Sequence, residues 1–108
     1  MNQQAHPPAQ PRRALTATEV VTGLAKLEGW TLSGDGPALA IEKRYAFSGF
    51  ADAMGFANAV AFLAQRHGHH PELQLSHGSC TVRWRTHDVA GISQDDFDCA
   101  ARVDALTG

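Results

Sequence analysis

The sequence contains little cysteine, because Cys80 and Cys99 are the only two among its 108 residues. They lie far apart and form no C-x-x-C pair, so neither a disulfide framework nor a cysteine-based zinc site is expected. Long hydrophobic runs are also lacking. No apolar stretch approaches the roughly 20 residues of a membrane-spanning helix, and residues 1–14 lack the apolar centre of a signal peptide. We therefore expect a cytoplasmic protein with reduced thiols and no membrane partner.

An excess of charge is missing as well. The formal net charge is −2 at pH 7, and charged residues make up 19% of the chain. Because broad electrostatic binding of nucleic acid requires a clustered basic face, no direct nucleic-acid partner is expected. Hydrophobic residues make up 44% of the chain, close to the share of about 45–50% in globular domains, which excludes a disordered or fibrous protein.

The chain divides into a short arm and one domain. Residues 1–14, MNQQAHPPAQPRRA, hold three of the five prolines and have no apolar periodicity. We therefore predict a disordered arm in which Arg12 and Arg13 are solvated. Residues 15–108 have the length of a single domain, since domains commonly run to roughly 100–150 residues. One functional site is expected.

The apolar periodicity of residues 15–108 predicts the element order αββαββα. A capping-box pattern from Thr16 to Glu19 starts the first helix at Ala17, and Gly29 is the expected left-handed cap at its end. The other predicted elements are strands over 30–33 and 39–47, a helix over 49–67, strands over 73–76 and 79–86, and a helix over 93–106. This order predicts an α+β two-layer fold, with a four-stranded antiparallel sheet and three helices on one face. The open sheet edges favour strand pairing into a homodimer or homotetramer.

Three local features of this pattern also carry predictions. Ser48 is expected to cap the long second helix. Gly55, inside that helix, costs about 1 kcal/mol relative to alanine, so it is expected to mark the close approach of another backbone. The run Glu42, Lys43 and Arg44 interrupts an apolar alternation and is expected to be a solvated stretch.

The clearest candidates for chemistry are histidines, of which the chain has six. Gly68 ends the predicted second helix and fixes where the chain leaves it. Pro71 forces His70 into an extended conformation, so that His70 and its neighbour His69 are held at a defined corner. His87 ends the fourth predicted strand, and strand pairing can bring it near that corner. The simpler alternative is that all three are exposed loop histidines.

Asp96 has an explanation that needs no ligand. The sequence from Ser93 to Asp96 is a capping-box pattern with an acid at its fourth position. A carboxylate in the first turn of a helix is also favoured by the helix dipole. The spacing alone therefore does not select Asp96 as a site residue.

Three neighbouring histidines admit two kinds of chemistry. Imidazole titrates near neutral pH, so such a cluster can give a proton to one atom and take one from another. Three neutral imidazoles could instead hold a zinc ion with a water in the open position. The zinc alternative is the weaker one, because adjacent histidines in an extended segment splay their rings. Neither an H-E-x-x-H helix nor a nearby cysteine accompanies them.

One family shares this set of residues. The run Phe56 to Glu72, FANAVAFLAQRHGHHPE, is followed by Arg85-Thr86-His87-Asp88, and then by Gly91-Ile92-Ser93 leading to Asp96. These residues resemble the signature of the pterin-4a-carbinolamine dehydratase family, which combines His-His-Pro with a later His and an Asp beyond it. The resemblance extends from about residue 21 to residue 106 and implies the same αββαββα fold.

The resemblance implies an enzyme, a hydro-lyase that converts 4a-hydroxytetrahydropterin to quinonoid dihydropterin and water. This reaction recycles the pterin cofactor of aromatic amino acid hydroxylases, so a hydroxylase is expected as a functional partner. No cofactor and no metal are expected, because the pterin is the substrate.

The resemblance also implies the site residues. Its catalytic residues are His69, His70 and His87. We expect His70 and His87 to transfer protons, and His69 to contact and polarise the pterin ring. The substrate-binding residues that it implies are Gly68, Pro71, Arg85, Thr86, Asp88 and Asp96.

Four residues depart from the family's pattern. Gln65 replaces a charged residue or a histidine, and Gly68 replaces an aspartate, so the site has fewer carboxylates than usual. We expect this difference to change the turnover and the pH optimum more than the binding. Leu73 replaces a common tryptophan and His77 an aromatic residue, which predicts different packing beneath the site.

A binding role is the competing function. Relatives of this fold act as dimerisation cofactors of a transcription regulator or as assembly chaperones of an enzyme, and one chain can combine such a role with activity. Damaged histidines would favour this alternative, and the signature histidines are intact here.

Overall fold

The computed structural model describes residues 12–107. Most of the predicted arm, residues 1–11, and Gly108 lie outside the described residues. For the described end of the arm the predicted disorder is wrong, because Arg12 pairs with Asp95 and Arg13 with Glu19. The helices and strands are α1 (Ala17–Leu24), β1 (Thr31–Ser33), β2 (Ala40–Ala46), α2 (Phe50–His67), β3 (Glu72–Ser76), β4 (Ser79–Trp84) and α3 (Gln94–Ala105). Short 3-10 turns lie at Gly36–Ala38 and His87–Val89. The predicted order αββαββα is confirmed.

The four strands form one antiparallel sheet in the order β1-β2-β4-β3. Ile41 of β2 lies opposite Trp84 of β4, and both side chains are fully buried. The next pair along these strands, Glu42 opposite Arg83, is polar and points to the other face, because successive strand residues alternate. The helices pack on the apolar face and share one core with it. The α+β two-layer fold is thereby confirmed.

The long helix α2 is apolar on both sides. Its buried residues, which face the sheet, are Ala53, Phe56, Ala57, Val60, Leu63 and Ala64. Its outer side remains exposed in the described part of the chain, where Phe50 is 51%, Met54 42% and Phe62 72% accessible. Monomeric proteins seldom expose several large apolar side chains on one helix, so this side has the character of an interaction surface.

The first helix begins as predicted and ends earlier. The capping box of Thr16 and Glu19 is present and α1 starts at Ala17. The helix ends at Leu24, whereas the sequence predicted an end at Gly29. Gly29 is left-handed, with φ of +88°, but it belongs to the turn before β1. The apolar spacing was misleading here because this turn also packs on the core.

Two predictions for α2 were wrong. The N-cap of α2 is Gly49, and the Ser48 hydroxyl donates to Oδ2 of Asp52 at 3.1 Å instead of capping the helix. Gly55 does not mark a close approach, since no described atom lies within 4 Å of the position that its Cβ would take. Gly55 lies on the exposed side of the helix.

The solvated stretch predicted at residues 42–44 was wrong for Lys43. The side chain of Lys43 alternates inward with Ile41 and Tyr45, and its Nζ lies 2.9 Å from Oδ1 of Asp104. Lys43 therefore continues the inward row of β2 and pairs with a carboxylate of α3. A charged residue that interrupts an apolar alternation can therefore indicate an ion pair at the edge of the core as well as a solvent-exposed position.

Candidate functional site

The corner that carries His69 and His70 forms at the end of α2. Gly68 is left-handed, with φ of +64°, and its N–H donates to carbonyls of the last helical turn. The His69 N–H then donates to Ala64 O at 3.3 Å, which turns the chain back over the helix end. The two histidines separate at this point: His69 is buried and His70 is exposed.

His69 is held by two contacts. Its Nε2 lies 2.6 Å from Oδ1 of Asp96, which is 27 residues further along the chain. Its ring stacks on the indole of Trp84, with 5.2 Å between centroids and 18° between planes. Only 7% of His69 is accessible. The hydrogen bond and the stack together fix both the plane and the rotation of this imidazole.

Asp96 is completely buried and its carboxylate is fully hydrogen-bonded. Oδ2 accepts from Thr86 Oγ1 at 2.8 Å and from the Ser93 N–H at 2.9 Å, while Oδ1 faces His69. The hydroxyls of Thr86 and Ser93 lie 2.6 Å apart. The predicted capping box of Ser93 and Asp96 is present. The capping box accounts for Oδ2 of Asp96, which accepts from the Ser93 N–H, while Oδ1 contacts His69.

His87 stands on a loop that closes on itself. β4 ends at Trp84, two residues before the predicted end, and Thr86 then pairs with Gly91, with Thr86 N 2.9 Å from Gly91 O. The loop between them contains the turn His87–Val89 and the left-handed Ala90, whose φ is +52°. His87 is exposed. Because the neighbouring Thr86 donates to Asp96, one carboxylate links His69 to the base of the His87 loop.

The remaining predicted substrate-binding residues differ in their surroundings. Gly68 and Asp88 are exposed, and Pro71 is half-buried. Arg85 donates from Nη1 to Pro37 O at 3.3 Å in the connection between β1 and β2. Its Nε is buried and has no hydrogen-bond partner in the described residues. Thr86 is 1% accessible, and its hydroxyl forms hydrogen bonds with Asp96 and Ser93.

The site contains two side chains that the sequence did not select. Trp84 falls within the strand predicted over 79–86 but carried no prediction of its own, and Ser93 was identified as a helix cap and as part of the signature run. The signal for Trp84 was its place two residues before Thr86, at the end of a strand facing the helices. No local pattern announces that it stacks on His69, because the contact depends on how the corner after α2 packs on the sheet.

Two further structural facts bear on the alternatives. Over residues 12–107, no group of three or more His, Cys, Asp or Glu side chains is arranged to hold a metal ion, as the zinc alternative requires. No helix in that span combines the length and hydrophobicity needed to cross a membrane.

A groove of about 1320 Å³ runs between α1 and α3, but His69, His70 and His87 do not line it. We place the candidate site at the histidines because they carry the titratable chemistry.

Sequence comparisons agree with the signature residues. The chain matches the family profile described as Pterin 4 alpha carbinolamine dehydratase over residues 13–106. A protein of Paracidovorax citrulli, provisionally named pterin-4-alpha-carbinolamine dehydratase, is 56% identical over 98 residues, covering 91% of this chain and 84% of that protein. A Vibrio cholerae protein with the same provisional name is 42% identical over 93 residues, covering 86% of this chain and 85% of that protein.

Solved structures agree with the fold. The crystal structure of a transcriptional coactivator/pterin dehydratase from Brucella melitensis matches with a TM-score of 0.81 and 29% identity, covering 89% of this chain and 100% of that chain. A pterin dehydratase-like protein identified as a RuBisCO assembly factor in the alpha-carboxysome matches with a TM-score of 0.62 and 27% identity, covering 75% and 92%. The chain therefore belongs to the pterin-4-alpha-carbinolamine dehydratase family.

Proposed function

We propose that this protein dehydrates 4a-hydroxytetrahydropterin to quinonoid dihydropterin and water, and so recycles the pterin of aromatic amino acid hydroxylases. In this reaction the C4a–O bond breaks and its electron pair leaves with oxygen, which must be protonated to depart as water. The N5 proton goes to a base, and the N5 electron pair forms the C4a=N5 bond. One acid and one base on the same substrate are sufficient, and no further cofactor enters the scheme.

The observation that carries this proposal is the buried pair of His69 and Asp96, which is followed in the chain by the exposed His70 and is linked through Thr86 to the loop of the exposed His87. An ionised Asp96 can only accept hydrogen bonds, so Nε2 of His69 is the protonated nitrogen. In the neutral ring, Nδ1 is then an acceptor that can receive an N–H of the pterin. This arrangement suits His69 to ring contact and polarisation.

His70 and His87 are suited to proton transfer. Both are exposed, so each can exchange protons with solvent between turnovers. The acid loses a proton to the departing hydroxyl and the base gains one from N5, so solvent exchange restores both. Positioned acid–base groups of this kind typically contribute about 10² to 10⁴ in rate.

We assign Thr86 to a positioning role within this scheme. Its buried hydroxyl donates to Asp96 and meets Ser93, which leaves it no free position for substrate. Asp96 likewise acts through His69, because its carboxylate is completely buried. Gly68, Pro71, Arg85 and Asp88 remain the predicted contacts to the pterin.

The test is an assay of 4a-hydroxytetrahydropterin decay, with the substrate generated by a hydroxylase. We expect the wild type to accelerate the decay, and His70→Ala and His87→Ala each to lower kcat/KM by at least about tenfold. His77→Ala is the matched control, because His77 is an exposed histidine in the turn before β4, at the opposite end of that strand from Thr86. Unchanged rates in both site variants, or a wild type without activity, would contradict the proposal.

A binding role is the second candidate, and the exposed side of α2 favours it. Phe50, Met54 and Phe62 offer apolar area to a partner. The two similar solved structures are described as a transcriptional coactivator/pterin dehydratase and as a pterin dehydratase-like RuBisCO assembly factor. We propose that self-association, as a homodimer or homotetramer, uses this side of α2 or the exposed edge strand β3. Sedimentation analysis of Phe62→Glu tests the contact through α2. A lower mass than that of the wild-type oligomer supports this contact, and an oligomer of unchanged mass assigns the contact to other surfaces.

A further inference from the structure

Residues 12–15, which we call the strap, contact both the His87 loop, residues 86–91, and the start of α3. Arg12 Nε donates to Oδ2 of Asp95 at 2.8 Å, at the start of α3. Its Nη1 lies 3.5 Å from Oδ1 of Asp88, the residue after His87. One guanidinium therefore joins the His87 loop to the first turn of α3.

The strap is also fixed through its backbone. The Leu15 N–H donates to Ile92 O at 2.8 Å, immediately after the loop closes. Leu15 packs against the core, which anchors this end of the strap. The direction of the chain from Leu15 back to Arg12 is thereby set, and it leads across the loop to Asp88.

The His87 loop is held internally by hydrogen bonds of mixed length: Thr86 N lies 2.9 Å from Gly91 O and Ala90 N lies 3.0 Å from His87 O. Val89 N lies 3.3 Å from Thr86 O and Gly91 N lies 3.4 Å from the same oxygen, both long for hydrogen bonds. Ala90 is left-handed, a conformation that costs an L-residue roughly 1–2 kcal/mol. His87 and Asp88 are exposed and bury little surface. The outer part of the loop, at His87 and Asp88, therefore has the fewest contacts of its own, and the Arg12 contact adds one there.

We propose that Arg12 is a positioning residue, which holds the His87 loop closed through Asp88 and Asp95 and so keeps His87 in place for proton transfer. The proposal rests on the proposed function for the role of His87. The family profile begins one residue later, at residue 13, so Arg12 lies just outside the matched residues, whereas its partners Asp88 and Asp95 lie within them.

The neighbouring arginine provides a matched control. Arg13 has the same charge and is also exposed, but it pairs with Glu19 of α1, with N–O distances of 2.8 and 2.7 Å. It makes no contact with the His87 loop among the described hydrogen bonds and ion pairs. Removing Arg13 changes the net charge equally and leaves the loop tied.

The experiment measures amide hydrogen exchange of Val89, Ala90 and Gly91, together with kcat and KM for dehydration, in the full-length chain. In Arg12→Ala we expect the exchange of these amides to rise and kcat to fall, each by about two- to fivefold, which is the scale of exposed ion pairs. We expect the exchange of α2 amides to stay unchanged. Arg12→Lys should be intermediate, because an ammonium cannot reach both carboxylates in the same geometry. Arg13→Ala should match the wild type.

The outcomes separate this proposal from the proposed function. Loop exchange that is unchanged in Arg12→Ala, or raised equally in Arg13→Ala, overturns the role of Arg12 whatever the activity. Raised loop exchange with unchanged kcat overturns the link to His87. If the wild type has no dehydratase activity, the proposed function fails, and selective loop exchange in Arg12→Ala would still support the tie.

Discussion

Helix α3 carries two buried or half-buried carboxylates about two turns apart, and their surroundings differ. Asp96 is completely buried and faces a histidine, a threonine and a serine. Asp104 has 28% of its side chain accessible and accepts hydrogen bonds from Trp30 at 3.0 Å, Lys43 at 2.9 Å and the Tyr45 hydroxyl. Asp96 contacts the buried His69, whereas Asp104 contacts an indole, an ammonium and a phenol.

The partners of the two carboxylates decide what each can do. Burial and the contact with Asp104 raise the pKa of Tyr45 well above its ordinary value of 10.0. Burial alone would raise the pKa of Asp104, but hydrogen bonds from Tyr45, Lys43 and Trp30 outweigh it and lower that pKa below 3.8. Asp104 therefore stays ionised and Tyr45 stays neutral across the neutral range, and their hydrogen bond joins β2 to α3. Asp104 has no histidine among its hydrogen-bond partners, whereas Asp96 contacts His69.

The largest expected effect comes from exchanging each carboxylate for its amide. Asp96→Asn replaces one carboxylate oxygen by an NH2 donor. When the remaining oxygen accepts from Thr86 and Ser93, the NH2 group faces Nε2 of His69 and favours the other tautomer, so we expect kcat/KM to fall by about ten- to hundredfold. The same change leaves buried donors poorly matched and should lower the free energy of unfolding by about 1–3 kcal/mol. Dehydration assays and urea unfolding measure the two losses.

Asp104→Asn is the control for that experiment. It breaks a carboxylate network on the same helix, at a distance from the histidines, so it should lose stability and keep its kcat/KM. If Asp96→Asn keeps its rate and loses only stability, the capping box is the whole role of Asp96. Equal loss of rate in both variants would mean that damage to α3, and not the missing carboxylate, is responsible.

The stability of the Asp104 cluster should depend on pH. A carboxyl whose pKa is lower in the folded than in the unfolded state stabilises the fold above its unfolded pKa, and this contribution is lost as pH falls through the folded pKa. Asp104→Asn should therefore cost about 1–3 kcal/mol at pH 7, where its charged hydrogen bonds are present. The difference from the wild type should shrink as the pH falls below 3.8, the ordinary pKa of the group. A difference that stays constant from pH 7 to pH 3 would contradict the charged network.

The same comparison explains what the sequence could predict. The element order, the capping boxes and Gly68 follow from local patterns, and the structure has them all. The pairs His69–Asp96 and Lys43–Asp104 join residues that are distant in sequence, and no local pattern marks them. Lys43 was assigned to solvent because its charge interrupts an apolar row, whereas the row continues through it to Asp104. The signature located the histidines, but only packing distinguishes the buried His69 from the exposed His70.

A smaller effect should come from the hydroxyl behind Asp96. Thr86→Val removes one hydrogen bond to the buried carboxylate and leaves the Ser93 hydroxyl without its partner, at a cost of about 1–2 kcal/mol. We expect a loss of rate of a few-fold at most, because His69 Nε2 and the Ser93 N–H still hold Asp96. Thr86→Ser keeps the hydroxyl and should recover most of the stability in urea unfolding. A valine variant as stable as the serine variant would show that this hydroxyl is not required.

The smallest expected effect tests the backbone on either side of the site. Ala90 is left-handed at φ +52°, which costs an alanine roughly 1–2 kcal/mol, while glycine loses about 0.4–1 kcal/mol more backbone entropy on folding. Ala90→Gly should therefore raise the free energy of unfolding by about 0.5–1 kcal/mol. Gly68→Ala is the opposite change at φ +64°, in open space among the described atoms, and should lower it by about 1 kcal/mol. Thermal unfolding measures both as shifts of roughly 4 °C in opposite directions. If Ala90→Gly lowers the melting temperature instead, Ala90 is not a strained residue of the His87 loop.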